Sequence, residues 1–155
     1  MVLSLEIAEA EAKARRQVAA LPMRIVAGAV EVCLVTTRQT RRWTLPKGWP
    51  MRGKKDHAAA AREAREEAGL VGRAGSKPIG AYGYWKHRGT HLDWVRVTVY
   101  RMSVKAALQS WREKAEREVV WVDPETAADM VQEEGLKDLL RGLPKHKTKK
   151  AERKT

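Results

Sequence analysis

Residues 62–70 read Arg62-Glu63-Ala64-Arg65-Glu66-Glu67-Ala68-Gly69-Leu70. Glu63, Glu66 and Glu67 stand at i, i+3 and i+4, so on a helix they share one face. Three carboxylates on one face repel each other unless a cation sits among them. Hard cations such as Mg²⁺ take oxygen ligands of this kind and are often shared with substrate phosphates. The helix itself is well signalled. Ala58 to Ala61 favour helix and permit close packing. Asp56 is the expected N-cap, His57 the first helical residue, and Gly69 the C-terminal stop.

Working outward, Met23–Thr37 is rich in Val, Ile and Ala and predicts one strand or two. Trp43-Thr44-Leu45 predicts a short strand stopped by Pro46, and Lys47–Lys55 a loop. Strands are expected over Pro78–Lys86, Leu92–Ser103 and Glu118–Val122. Asp123-Pro124-Glu125 opens a helix toward Glu134, and Leu136–Arg141 forms another. Residues 4–20, rich in Ala, Glu, Lys and Arg, predict a helix ended by Leu21-Pro22. Strands mixed with helices in this order give an α+β class. The expected organisation is a helical extension over 1–22, one domain over 23–142 and a basic disordered tail over 143–155.

Composition narrows the function. The chain has 155 residues, 43% of them hydrophobic, and carries a net charge of +12. Six Lys or Arg against one Glu in Lys145–Thr155 contribute +5, leaving +7 on the body. A basic body suits a polyanionic, phosphorylated small molecule, and the tail suits weak, salt-sensitive contact with nucleic acid. No aromatic and basic pattern of an RNA-binding module is present. Cys33 is the single cysteine, so an internal disulfide is excluded and a buried, unreactive thiol is expected. The amino terminus lacks the basic start of a secretory signal, and no apolar stretch is long enough to cross a bilayer. A cytoplasmic location is expected, and the oligomeric state is left open.

From Gly48 to Leu70 the chain resembles the Nudix box of the Nudix hydrolases. Gly48, Arg62, Glu63, Glu66, Glu67, Gly69 and Leu70 match that box in type and spacing, with Ala64 at its aliphatic place. Lys54 replaces the first Glu of the box. Trp43-Thr44-Leu45-Pro46-Lys47-Gly48 resembles the lead-in of the branch that handles diphosphoinositol and dinucleoside polyphosphates. Trp121-Val122-Asp123-Pro124-Glu125 resembles a late strand-to-helix step of many members. The resemblance implies an α/β/α sandwich around a mixed sheet, and Mg²⁺- or Mn²⁺-dependent hydrolysis of a phosphoanhydride. It makes Glu66 and Glu67 the main metal ligands, and Glu63 a ligand or the group that orients water. The Gly48 carbonyl is a further ligand, and a later carboxylate, Glu113 or Glu116, is another candidate. Glu118 is a weaker one. Arg62 is expected to hold the glutamates, and Gly69 to end the helix.

Cations for substrate phosphates cluster at Arg38, Arg41, Arg42 and Lys47, and again at Arg52, Lys54 and Lys55. Arg24 opens the first strand, where the resemblance implies a phosphate contact. Tyr82, Tyr84 and Trp85 are read as packing residues, with base stacking the alternative. The expected substrate is a diphosphoinositol or dinucleoside polyphosphate. A smaller nucleoside diphosphate derivative, or a ligand sensor without catalysis, are the alternatives, and Lys54 is the best argument for the sensor.

Overall fold

The computed structural model describes Glu6, Ala8, Glu9 and residues 12–144. A mixed sheet is formed by β1 (Arg15–Val26), β2 (Ala29–Thr36), β3 (Trp43–Thr44), β4 (Lys47–Gly48), β5 (Leu70–Ala74), β6 (Gly80–Arg88), β7 (His91–Ala107) and β8 (Val119–Val122). Helix α1 (Asp56–Ala68) follows β4; α2 (Pro124–Met130) and α3 (Glu134–Arg141) follow β8. The spine runs β3-β2-β1-β7-β5, with β4 on β1, β6 on β7 and β8 on β2. Only β1 and β7 pair in parallel, from Arg15 opposite Val95 to Met23 opposite Ser103.

Alternate residues of the central strands feed two cores. Ala19, Leu21, Val32, Leu34, Val95, Val97 and Val99 pack with Leu136 and Leu140 of α3 and Ala127 and Ala128 of α2. Val18, Ala20, Cys33, Val35 and Met102 pack on Ala59, Ala60, Ala64 and Ala68 of α1. The result is the expected α/β/α sandwich. Cys33 is buried, and burial holds its thiol up at about 12.

Several local expectations are corrected. The helix expected over 4–20 gives way to a strand from Arg15, so the expected domain boundary at 22 falls inside β1. Helix propensity there is overridden because Val18, Ala19, Ala20 and Leu21 are wholly buried in the middle of the sheet. Glu6, Ala8, Glu9 and Ala12 are helical. Pro22 is tolerated where β1 changes partner: Ala19 still faces Lys47 of β4, and Met23 already faces Val32 of β2.

Lys47 and Gly48 form a strand rather than the start of a loop. Helix α1 starts at Asp56 with Lys55 as its N-cap, so Asp56 does not cap. Its carboxylate receives a hydrogen bond from Arg16 at 3.1 Å. Strand β5 was not foreseen, since Gly72 and a bulge interrupt its pattern. Helix α2 stops at Met130, short of Glu134, while Asp123 caps it by accepting from the Thr126 amide at 3.1 Å. Leu143 packs against the core instead of joining the tail. The remaining tail, from Lys145, lies outside the described residues.

Candidate active site

Helix α1 lies flat on the sheet because its inner face is alanine. Ala59, Ala60 and Ala64 are fully buried, as small side chains allow. That closeness brings Glu63 against Gly48 of β4, where a Cβ would overlap the Glu63 carboxylate. A larger residue here would have to push the Glu63 carboxylate aside. At Gly69 glycine is needed for conformation: φ is 70°, and the Trp111 ring covers its Cα.

The three glutamates have different surroundings. Glu67 is buried, with 4% of its surface exposed. Burial pushes its carboxyl up to about 9; Arg117 opposes this, and a hydrogen bond with Glu63 adds to it. Burial also raises Glu63, while its bond with Glu67 pulls the other way. Burial thus favours the protonated form of Glu67, which is hydrogen-bonded to Glu63. Glu66 is engaged elsewhere: Arg62 donates to its Oε1 at 2.9 Å, and Arg112 lies 3.6 Å from the same oxygen.

The segment between β7 and β8 is fastened to the end of α1 by its unpaired carbonyls. The amide of Leu108 donates to the Gly69 carbonyl at 2.8 Å and that of Glu113 to the Glu66 carbonyl at 3.0 Å. The Trp111 indole donates to the Glu67 carbonyl at 3.2 Å. These bonds set Glu113, rather than the half-exposed Glu116, beside the glutamate face. Arg117 completes the arrangement. It is 11% exposed, donates to Glu113 Oε1 at 2.9 and 3.1 Å and to the Thr36 carbonyl at 3.0 Å, and lies 3.6 Å from Glu67.

A cleft of about 1110 Å³ opens over these groups. Glu63, Glu66, Glu67, Glu113 and Glu116 line it together with Gly48, Lys47, Arg38 and Arg42. The structure therefore gathers most of the residues expected from the sequence. Lys47 is partly buried, and that burial lowers the pKa of its ammonium while Glu67 raises it. Its Nζ lies 5.2 Å from the centre of the Tyr84 ring. Arg38 lies 3.7 Å from both Glu113 and Glu116, joining the β2–β3 turn to the later segment.

Three expected contributors sit elsewhere. Arg24 bonds Glu31 at 2.8 Å and stacks 4.2 Å from Trp121, on the sheet surface away from the cleft. Arg41, with φ of 55°, supports the wall: it donates to the Glu116 carbonyl at 2.9 Å and pairs with Glu118. Lys54 is exposed and is not part of the cleft lining. Arg62 holds Glu66, in its expected supporting role.

Sequence reasoning missed Arg117, although Glu113 and Arg117 have an i, i+4 spacing that signals an ion pair. It also missed Trp49, Lys86, His87 and Arg112 in the cleft wall. Trp85 packs on the sheet surface, meeting its cross-strand neighbour Trp94 edge to face at 4.9 Å, but it is 52% exposed and also lines the cleft. Tyr84 is held by a hydrogen bond to Gln17 at 2.7 Å.

The same frame occurs in known proteins. The chain is 28% identical over 137 residues to "Nudix hydrolase 18, mitochondrial" of Arabidopsis thaliana, covering 83% of this chain and 76% of that one. A C. elegans Ap4A hydrolase, solved as a binary complex, superposes with a TM-score of 0.62 at 21% identity, covering 82% of this chain and 93% of that one. The E. coli ORF135 protein superposes with a TM-score of 0.57 at 16% identity, covering 84% and 89%. A profile of the NUDIX domain matches residues 14–143, from the start of β1 to the end of the core and through every residue of the glutamate face. The chain therefore belongs to the NUDIX family of hydrolases.

Proposed function

We propose that this protein hydrolyses a phosphoanhydride bond in a highly phosphorylated substrate with the help of Mg²⁺ or Mn²⁺, and that the substrate is a dinucleoside polyphosphate. The observation that carries this reading is the composition of the cleft. Buried Glu67 and half-buried Glu63 share the cleft with Arg38, Arg42, Lys47, Lys86, Arg112 and Arg117, around a space large enough for a nucleotide chain. Exposed Trp85 and the rings of Tyr84 and Trp49 supply stacking surfaces for a base. A diphosphoinositol polyphosphate has no aromatic ring to stack on such a wall. The Ap4A activity in the name of the C. elegans neighbours is in keeping with the preference.

The donor set suits a hard cation. As the side chains stand, no three His, Cys, Asp or Glu among the described residues converge on one point, because Glu66 leans on its arginines. Yet half-buried Glu63 and buried Glu67 are hydrogen-bonded to each other, and with Glu66 and the Gly48 carbonyl they would hold a divalent ion. When bound, such an ion neutralises phosphate charge and lowers the pKa of attacking water.

The chain's own residues do the rest. Arg38, Arg42 and Lys47 bind and orient phosphate oxygens. Glu113, fixed by Arg117 and by its amide bond to the Glu66 carbonyl, accepts the proton of the attacking water. The phosphate-bearing product leaves as the anhydride P–O bond breaks.

Purified protein with Mg²⁺ or Mn²⁺ should release phosphorylated products from dinucleoside polyphosphates faster than from diphosphoinositol polyphosphates or nucleoside diphosphate derivatives. Glu66→Gln and Glu67→Gln should each cut the rate strongly while the fold persists; full activity in both would sink the metal assignment. Silence across the panel with tight binding of one member would favour a sensor. Lys54, the sequence argument for a sensor, stands outside the cleft.

A further inference from the structure

A second, smaller cavity of about 250 Å³ lies at the end of α1, on the other side of Glu66. Arg62, Arg65 and Arg112 line it, with Ser110, Leu108 and the Trp111 ring as the remaining wall. It shares only Glu66 and Arg112 with the large cleft. Three guanidinium groups here have one carboxylate between them. Arg62 and Arg112 both lean on Glu66 Oε1, at 2.9 and 3.6 Å. The Arg65 guanidinium makes no ion pair or hydrogen bond among the described residues.

Cations gathered around a concavity with too few anions attract a ligand that supplies the missing charge. Arginine forks favour the paired oxygens of a phosphate-type group. The Ser110 hydroxyl offers a further donor. The volume falls below that of ordinary pockets for drug-sized molecules and is ample for a small anion.

We propose that this cavity is a binding site for a small free phosphate-type anion, such as inorganic phosphate, separate from the substrate cleft. The anion competes with Glu66 for Arg62 and Arg112. Occupancy therefore loosens the hold on a glutamate that belongs to the active face. Binding itself does not depend on the catalytic reading above, so each can fail alone.

The test uses the isotope-labelled full chain, free of divalent ions, titrated with inorganic phosphate and followed by NMR. The Trp111 indole N–H and the Ser110 amide should shift and saturate. Arg65→Glu should weaken that binding about tenfold or more, and Arg65→Ala less in the same direction, each with a dispersed spectrum showing the fold intact. Glu66→Gln should tighten it several-fold, roughly, by removing the competing carboxylate. Arg42→Ala, in the large cleft, should leave it unchanged.

An unmoved Trp111 signal, or equal affinity in both Arg65 variants, would overturn the site. Weaker binding in Glu66→Gln would overturn the competition. A shift produced only by tripolyphosphate, together with Lys86 and His87 and lost in Arg42→Ala, would assign the groups to the tail of a substrate chain instead.

Discussion

Replacing Arg117 with alanine removes a largely buried cation that joins Glu67 and Glu113 to β2. The side chain is 11% exposed, so its contacts are not weakened by solvent as surface pairs are. Its bonds are unequal. Glu67, 3.6 Å away, already holds its proton up to about 9, so that pair contributes little in metal-free protein. The two bonds to Glu113, at 2.9 and 3.1 Å, join charged partners, and a third reaches the Thr36 carbonyl. Charge-assisted bonds contribute about 1.5–3 kcal/mol net, and bonds made by one fork do not add fully. The expected loss is about 3 kcal/mol, within the range for breaking a buried pair. For a chain of this size that is roughly 6–12 °C in Tm. Urea unfolding of wild type, Arg117→Ala, Glu113→Ala and the double variant gives the coupling directly. A coupling of about 2 kcal/mol or more supports the argument; one below about 0.5 kcal/mol would show Arg117 behaving like a surface residue and refute it. The rate constant kcat should fall more than KM rises, because Glu113 loses its orientation while the phosphate-binding side chains remain.

Gly48→Ala should push the Glu63 carboxylate away from β4 at little cost in stability, because only the end of a flexible side chain has to move, and should remove most of the activity; normal activity would mean that the Glu63 position does not matter. Glu67 has a folded-state pKa raised from 4.5 to about 9, so its contribution to metal-free stability is complete below 4.5 and is lost as pH rises toward 9. Thermal scans without metal should therefore show stability declining over that window, whereas Mn²⁺ affinity should rise over it with release of protons, measured by calorimetry in buffers of different ionisation enthalpy. Trp85→Ala should raise KM for dinucleoside polyphosphates about tenfold, toward the lower end of the range for one lost stacking contact, and leave diphosphoinositol polyphosphates unaffected; equal effects on both would remove the base-stacking role.

Local signals were read well where the local chain decides the outcome. The glutamate face, its end at Gly69 and the small inner face of Ala59, Ala60 and Ala64 all follow from spacing and side-chain size. Strand β1 was misread because Arg15–Leu21 carries helix-forming residues, and only the flanking β4 and β7 strands make it extended. Arg24 was misassigned because its neighbour across the sheet, Glu31, and the ring of Trp121 are distant in the pattern that suggested a phosphate contact. The choice between Glu113 and Glu116 also depended on contacts with a helix more than forty residues away.

The sequence by itself determined the family, the carboxylate face and the helix-ending glycine at position 69, since these depend on motif spacing, on helical period and on φ. Tertiary structure alone decided which cations face the acids and which only brace the walls. It also decided that Arg117 sits among the carboxylates and that Trp85 opens to the cleft. The physical reason is that burial sets the strength of a charge, and burial is a property of what the rest of the chain places around a residue. A row of basic residues in the sequence shows charge; only their packing shows direction.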